Sequence, residues 1–435
     1  MPTSMTSPTT TSTTASTKTS KTASALIHHP LPSTRRVPRL SRTGAFYLQA
    51  SIILFFLAGS SAPTPLYGVY QAAWGFSPIT ITVVFGIYAI AVLATLLVVG
   101  GLSDYVGRRP VLFAAALLQA ISMAIFATAN DVGALVVARV VQGLSTGAAA
   151  GAVGAGMLDI DRDKGTIANA VSPMMGTATG ALLSGLMVAL LPAPTVLIYL
   201  VLGAIFIAQA VGVALMPESV TPRPGALRSL RPRFNLPAQA RVPMLLAVPA
   251  LVAAWSLVGF YGSLGPTLVK RLLGSTSPML GGLVLFVMAS SGALSVFLAH
   301  RRPARFLTIF GTATLMLGVA VSLLAIARGS VVILFVGTAI SGAGFGGAFQ
   351  GAIRSVIPLA AAHQRAGVLS VLYVVAYLAM GAPAVLAGFG VVHGGGLLVT
   401  AREYGLAVMA LAGAALLGTL LRRSTPPGGR SAVAG

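Results

Sequence analysis

Twelve long runs of apolar residues dominate this chain of 435 residues. Each run has roughly the 20 residues that an α-helix needs to cross a lipid bilayer. Only 8% of the residues are charged, which is too few to cover the surface of a water-soluble protein. A membrane suits such a composition, because lipid tolerates a helix that is apolar on every side.

The twelve runs are predicted to be helices, since none shows the alternation of apolar and polar residues that marks a transmembrane β-barrel. The fold class expected is therefore an all-α polytopic membrane protein with twelve transmembrane helices. The predicted spans are Ala45–Tyr70, Ile79–Val99, Pro110–Ala129, Val132–Met157, Thr166–Leu191, Thr195–Met216, Val242–Val269, Pro278–Ala299, Arg305–Ala327, Ser330–Ile353, Gly367–Val392 and Val399–Leu421.

The basic residues predict how these spans are oriented. With the N-terminus in the cytoplasm, all but five of the Lys and Arg residues fall on the cytoplasmic side. The exceptions are Lys270, Arg271, Arg328 and Arg402 in outer connections and Arg139 within a span. This excess of positive charge inside predicts a plasma-membrane protein with both termini in the cytoplasm. It also accounts for the net charge of +21 without a nucleic-acid partner.

Two short strings recur at matching places in the two halves of the chain. Gly59–Thr64 reads GSSAPT where Gly262–Thr267 reads GSLGPT, and Gly107–Phe113 reads GRRPVLF where His300–Phe306 reads HRRPARF. The repeats predict two pseudo-symmetric bundles of six helices with a site between them. The alternative is that such strings arise by chance in a chain rich in Gly and Arg.

The chain is accordingly expected to have five parts. The N-terminal part is basic and rich in Ser and Thr, and it has too little apolar surface to fold, so it is predicted to be disordered. The expected boundaries are 1–41 for this tail, 42–216 for the first bundle, 217–241 for a cytoplasmic linker, 242–421 for the second bundle and 422–435 for a C-terminal tail.

A charged loop with several glycines joins the second and third spans and reads GGLSDYVGRRPVL from Gly100 to Leu112. It closely resembles a signature of the major facilitator superfamily, G-x-L-x-D-x-x-G-R-[RK]. The matching residues are Gly100, Leu102, Asp104, Gly107, Arg108 and Arg109. A second family pattern, R-x-x-x-G in the fourth span, is matched by Arg139 and Gly143. The resemblance covers residues 45–421 and implies a transporter.

The charged loop is predicted to act as a gate. Asp104 lies at the membrane edge. Its carboxylate can accept hydrogen bonds there from the N-terminus of a neighbouring helix, which is the positive end of the helix dipole. The best candidate is the start of the eleventh span, near Arg365–Gly367. Such a contact would latch the two halves together on the inside. Gly107 permits a tight turn. Arg108 and Arg109 can pair with acidic residues or lipid phosphate, or they simply satisfy the bias for positive charge inside.

Arg139 is the one charged residue placed well inside a span. A charge in the membrane is costly, so its side chain is expected to face a wet cavity or polar partners. Gln142 and Thr146 fall on roughly the same face of the helix. One interpretation is a contact with substrate or with a coupling proton, and the other is an arginine that holds helices together by bonding backbone carbonyls.

A set of polar and aromatic residues is expected to border a central cavity with few charges. The set is Tyr67, Tyr70, Gln71, Tyr88, Trp255, Phe260, Tyr261, Phe349, Gln350, Tyr373 and Tyr377. For each of them the alternative is a position at the membrane surface or in helix packing. A cavity lined in this way suits lipophilic or amphipathic molecules better than sugars, which need many hydrogen-bond partners.

The function expected is ion-driven export of small lipophilic or amphipathic compounds by a monomeric, antiporter-type carrier in the bilayer. The family's antiporter pattern in the fifth span is not intact, however, and every Asp and Glu lies in a loop or near the edge of a predicted span. A coupling proton would therefore use an edge group such as Asp104 or Asp131 or the substrate's own charge. Without cysteine, metal-ligand spacing or a P-loop, no cofactor and no enzymatic activity are expected. The alternatives are uptake of a small metabolite, with Arg139 as the counter-charge if it is an anion, and, more remotely, a membrane sensor that transports nothing.

Overall fold

The computed structural model describes residues 40–232, 236–274, 278–361 and 364–421. Twelve helices in these ranges are long and apolar enough to cross a membrane, and the same ranges contain no strand, which confirms the predicted fold class. The predicted disorder of the N-terminal tail and nearly all of residues 1–41 lie outside the described residues, as does the C-terminal tail.

The helices begin and end close to the predicted positions. They are α1 (Arg42–Trp74), α2 (Pro78–Val99), α3 (Arg108–Ala127), α4 (Val132–Ile160), α5 (Arg162–Leu190), α6 (Pro194–Leu215), α7 (Ala238–Ser263), α8 (Pro278–Ala299), α9 (Ala304–Arg328), α10 (Val331–Val356), α11 (Arg365–His393) and α12 (Leu397–Leu421).

Proline explains where the structure departs most from the predicted spans. The first helix divides at Ala62 into Arg42–Ser61 and Pro63–Trp74. The seventh predicted span, Val242–Val269, is two helices, because α7 ends at Ser263 and a short helix, Gly265–Leu273, follows. Proline has no backbone N–H to donate and therefore fits the first turn of a new helix better than the interior of an old one.

Among the described residues, two large hydrophobic cores and two smaller ones hold the bundle together. One is built from residues of α1 to α6 with Phe56, Phe126, Tyr199 and Phe206 among its fully buried side chains. The other large core is built mainly from α7 to α12 and takes in Met174 and Ala181 of α5. These cores define a first half and a second half, which meet where α5 packs on α8 and α2 packs on α11.

Two glycines four residues apart in α4, Gly143 and Gly147, allow this helix to pack closely against α2. A Cβ atom on Gly147 would lie 2.6 Å from the carbonyl oxygen of Val92 in α2, and one on Gly143 would lie 2.5 Å from the Cβ of Ala91. The backbones of α2 and α4 therefore approach too closely for any side chain at these positions.

The two halves touch at one end of the molecule and part at the other. We call the end that carries the Gly100–Arg109 loop the basic face. Toward the opposite face, the Thr64 hydroxyl donates to the carbonyl of Gly262 over 3.0 Å, and Gly282 lies against the backbone of Ala181. At the basic face a cavity of about 340 Å³ lies between the halves, with Asp163 on one wall and Arg301 on the other.

The linker between the halves packs under the basic face. It contains a short helix, Ala226–Ser229, and α7 begins at Ala238, within the linker that the sequence suggests. The Arg223 guanidinium lies 4.6 Å from the centre of the Tyr105 ring, and the Arg223 backbone N–H donates to the Tyr105 carbonyl over 2.9 Å. These contacts tie the linker to the loop between α2 and α3.

Candidate functional site

The loop between α2 and α3 is held by a carboxylate from the far end of α6. Gly107 has φ 104° and ψ 155°, a conformation that only glycine adopts readily, and α3 begins at the next residue. The Glu218 carboxylate accepts hydrogen bonds from the backbone N–H groups of Arg108 (2.8 Å) and Arg109 (2.9 Å). A negative group at this position also interacts favourably with the positive end of the α3 dipole.

Arg108 connects this loop to the end of α4. Its guanidinium is buried and donates to Ser103 Oγ (2.6 Å), to Asp104 and to Asp159 Oδ2 (3.4 Å). The predicted pairing of Arg108 with acidic residues is therefore present. Arg109 instead donates to the carbonyl of Ala214 in α6. Together these bonds fasten the loop to α4 and α6, within its own half.

Asp104 is engaged with Arg108 in this conformation. Among the hydrogen bonds of the described residues, none joins Asp104 to the start of α11, where Arg365 donates to Ala360 of its own half over 3.3 Å. The cavity described above lies between α5 and the ends of α8 and α10, and neither Asp104 nor α11 lines it. The latch between Asp104 and α11 stays a prediction for the state in which the basic face is closed.

Arg139 lies fully buried in the first half, where the bend in α1 brings backbone and side-chain oxygens to it. Its guanidinium donates to the Tyr67 hydroxyl from Nε (3.0 Å) and Nη2 (2.5 Å), to the Ser60 carbonyl (2.8 Å) and to Gln142 Oε1 (2.7 Å). The Gln142 amide in turn donates to the Gly59 carbonyl over 2.9 Å. Arg139 thus has the polar partners that its position requires.

Aromatic rings complete the surroundings of this charge. The guanidinium carbon lies 5.6, 5.2 and 5.7 Å from the ring centres of Tyr67, Tyr88 and Phe126. In the part of the chain that the structure describes, no carboxylate forms a salt bridge with Arg139. Its positive charge is therefore offset by oxygen dipoles and ring faces rather than by a negative charge.

The predicted site residues fall into separate groups. Tyr67, Gln142 and Tyr88 surround Arg139, and the Tyr70 hydroxyl lies 3.3 Å from that of Tyr199, all within the first half. Tyr261 is buried in the second half, where its hydroxyl lies 3.1 Å from Thr338 Oγ1 and 3.3 Å from Ser322 Oγ. Gln350 is 9% exposed.

Trp255 belongs to an aromatic group between the halves. Its ring centre lies 5.6 Å from that of Phe345, 5.3 Å from that of Phe349 and 5.6 Å from that of Tyr377. Tyr373 lies one turn from Tyr377, with ring centres 6.3 Å apart. We call Trp255, Phe345, Phe349, Tyr373 and Tyr377 the interface aromatic cluster.

The cluster borders both halves of the molecule. Trp255 and Tyr377 pack against a small core in which Phe85 and Ala89 of α2 meet Met380 and Ala384 of α11. Four of the five rings are only partly buried, and Phe345 is the exception. The cluster is therefore the part of the predicted site that lies where α2 of one half contacts α11 of the other.

Glu218 and Phe345 are contacts that the sequence reasoning did not identify. A signal for Glu218 existed, because it is the one acidic residue in the basic stretch 217–241 and it follows α6 directly. It therefore had to lie at the same face as Gly107. Phe345 carried no such signal, since it is one apolar residue in an apolar helix.

Comparisons with known proteins agree with this architecture. Residues 50–384 match the family described as Major Facilitator Superfamily, and no protein with a curated description matches the chain. The fold is similar to that of the nucleoside transporter NupG, with a TM-score of 0.61 and 13% identity over 86% of this chain and 98% of that one. It is also similar to a bacterial homologue of the human lysosomal transporter Spinster in an inward-facing, unoccupied conformation, with a TM-score of 0.68 and 13% identity over 87% of this chain and 97% of that one.

Proposed function

This chain belongs to the major facilitator superfamily, and from that premise we propose that it is a secondary active transporter that exports small lipophilic or amphipathic organic compounds by alternating access. The observation that carries the proposal is the interface aromatic cluster. It presents partly exposed aromatic rings where the two halves meet, and such a surface binds apolar molecules better than strongly hydrated ones.

The contacts between the halves support alternating access. The halves touch toward the face opposite the basic loops and are separated by a cavity at the basic face. With the basic face in the cytoplasm, as the distribution of Lys and Arg favours, this conformation is open to the inside. Closing the basic face and opening the other would move a bound molecule across the membrane.

The location of Arg139 favours export of lipophilic compounds over uptake of an anion held by that residue. Its guanidinium is fully buried and every one of its nitrogens donates to the protein. An anionic substrate would have to displace Tyr67 or Gln142 to reach it.

Everted membrane vesicles test both the function and its direction. When a proton gradient is imposed, vesicles that contain the protein are expected to accumulate Nile red, an uncharged dye, or ethidium, a cationic one, to a higher level than vesicles without it. Collapsing the gradient with an uncoupler should abolish the difference. Accumulation of solute by right-side-out vesicles alone would instead establish uptake, and no gradient-dependent movement in either orientation would contradict the proposal.

Replacing Asp104 with asparagine is expected to lower transport more than it lowers the amount of protein in the membrane. Asparagine can still accept the hydrogen bond from Arg108, so the loop should keep its fold, but it lacks the charge for the proposed latch to α11. The measurement is dye accumulation in vesicles divided by the amount of protein.

Asp161→Asn is the matched control on the same face. Asp161 caps the start of α5, and asparagine caps helices equally well. The backbone N–H of Lys164 lowers the pKa of the Asp161 carboxyl, so this side chain is charged at neutral pH and its replacement also removes a negative charge from the basic face. Asp161→Asn should retain transport. If Asp104→Asn instead lowers transport only as much as it lowers the amount of protein, Asp104 has a structural role and no role in gating.

A further inference from the structure

Resting on the proposed function, we infer that the interface aromatic cluster selects planar aromatic compounds that carry a hydrogen-bond acceptor and no positive charge. The inference narrows the broad class of lipophilic substrates in two ways. It requires an acceptor atom on the flat ring system, and it places lipophilic cations among the poorly bound compounds.

The shape of the cluster favours flat ring systems. Phe345 and Phe349 are nearly parallel, with an interplanar angle of 7°, while Trp255 lies nearly perpendicular to both, at 77° and 80°. Tyr377 is tilted by 42° against Trp255. A planar molecule can present its face to one ring and its edge to another here, and both are favourable aromatic geometries.

The cluster also contains hydrogen-bonding groups that have no partner. The indole N–H of Trp255 is buried and finds no acceptor among the described residues. The hydroxyls of Tyr373 and Tyr377 form no hydrogen bond within the described part of the chain. A buried donor without a partner is costly, and an indole N–H can only donate. The Trp255 N–H is therefore satisfied best by a ligand with an acceptor atom, and the two tyrosine hydroxyls can donate to the same ligand or accept from it.

The charges around the cluster disfavour a cation. No Asp or Glu belongs to the cluster or to the α2 and α11 segments that pack on it. A buried positive charge also lies on the other side of α2, where the guanidinium of Arg139 in α4 packs on the ring of Tyr88, the residue before Ala89 of the α2–α11 contact. The ring faces would attract a cation that left water for this site, but no carboxylate would offset the rest of its lost hydration, and the buried charge of Arg139 would repel it. Arg139 itself has carbonyl, amide and hydroxyl oxygens besides the rings.

Three probes with the same two-ring size test the requirement for an acceptor and the exclusion of charge separately. Quinoline has an acceptor nitrogen and is uncharged in mildly alkaline buffer. Naphthalene has the same two rings without an acceptor. N-Methylquinolinium has its nitrogen blocked and carries a positive charge. We expect quinoline to bind about tenfold more tightly than naphthalene, since one hydrogen bond to a buried donor is worth about that factor. N-Methylquinolinium should bind more weakly than naphthalene, because both lack an acceptor and only N-methylquinolinium carries a charge.

Binding of each probe at Trp255 can be measured directly by fluorine NMR. It has two tryptophans, so the Trp74→Phe protein labelled with 5-fluorotryptophan gives a single fluorine NMR signal, from Trp255. Trp74 stacks on Tyr70 at the end of α1, and phenylalanine keeps a ring there. Titration of this protein in lipid nanodiscs with each probe should shift the signal with quinoline at the lowest concentration. In the matched Trp255→Phe protein, the signal from Trp74 should not move over the same range.

Calorimetric titration of Trp255→Phe supplies the second measurement. Phenylalanine keeps the stacking surface but has no N–H, so quinoline should lose most of its advantage over naphthalene while naphthalene binds as before. Equal binding of quinoline and naphthalene to the protein with Trp255 intact would overturn the requirement for an acceptor. Binding of N-methylquinolinium at least as tight as that of naphthalene would overturn the exclusion of cations.

Failure of this inference is distinct from failure of the proposed function. If vesicles move ethidium and the cation probe binds best, the protein is an exporter and the selectivity inferred here is wrong. If vesicles move neither dye while quinoline binds as expected, the cluster is a binding site and the proposal of export is wrong.

Discussion

Arg139→Lys is expected to leave a folded protein that has lost most of its transport. The guanidinium donates in three directions, to Tyr67, Ser60 and Gln142, and so joins the bend of α1 to α4. A lysine ammonium has no planar fork and cannot span these acceptors together. Losing hydrogen bonds from a charged group of this kind costs about 2–3 kcal/mol each at most, so the protein should melt earlier but still fold. Vesicle transport and thermal unfolding in detergent measure the two effects.

Two tyrosine variants show whether this loss comes from the Arg139 contacts themselves. Tyr67→Phe removes the hydroxyl that accepts two of the Arg139 hydrogen bonds, and it should reproduce most of the transport defect. Tyr70→Phe removes only the 3.3 Å contact with Tyr199, and it should transport nearly normally. Unaltered transport by Arg139→Lys would remove Arg139 from the transport mechanism.

The fold could be predicted from the sequence because a bilayer restricts a chain so strongly. Backbone groups in lipid must bond within their own helix, so a run of about 20 apolar residues has few alternatives to a spanning helix. The ends of the helices could not be predicted from the sequence where a proline can either start a helix or lie inside one. Pro266 starts a new helix after α7, whereas Pro383 lies inside α11, and their immediate sequences do not distinguish the two cases.

The candidate site was predictable only where a residue's chemistry demands a particular environment. A charge in the membrane needs polar partners, and Arg139 has them. Tyrosine occurs in helix packing, at the membrane surface and in cavities. The sequence therefore could not predict that Tyr261 lies within the second half rather than between the halves. The aromatic cluster depends on which faces of α7, α10 and α11 turn toward one another, and that is decided by helix packing rather than by any local pattern.

Gly107→Ala is expected to damage the loop at the basic face strongly, although it adds only one methyl group. Its φ of 104° and ψ of 155° lie in a region that costs any other residue about 1–3 kcal/mol. An added Cβ would also lie 2.5 Å from Glu218 Oε2 and would displace the carboxylate that caps α3, and losing a cap costs about 1 kcal/mol more. We expect a lower melting temperature in detergent and loss of most transport in vesicles.

The same loop offers a control and a way to separate the two causes. An added Cβ on Gly101 meets nothing within 4 Å and Gly101 does not have a positive φ, so Gly101→Ala should behave like the unaltered protein. Glu218→Ala alone removes the cap without straining the backbone, so it should lower the melting temperature less than Gly107→Ala does. Because Gly107→Ala already displaces Glu218, the double variant should be less destabilised than the sum of the single ones. If Gly107→Ala melts at the temperature of the unaltered protein, neither backbone strain nor the Glu218 cap holds this loop in place.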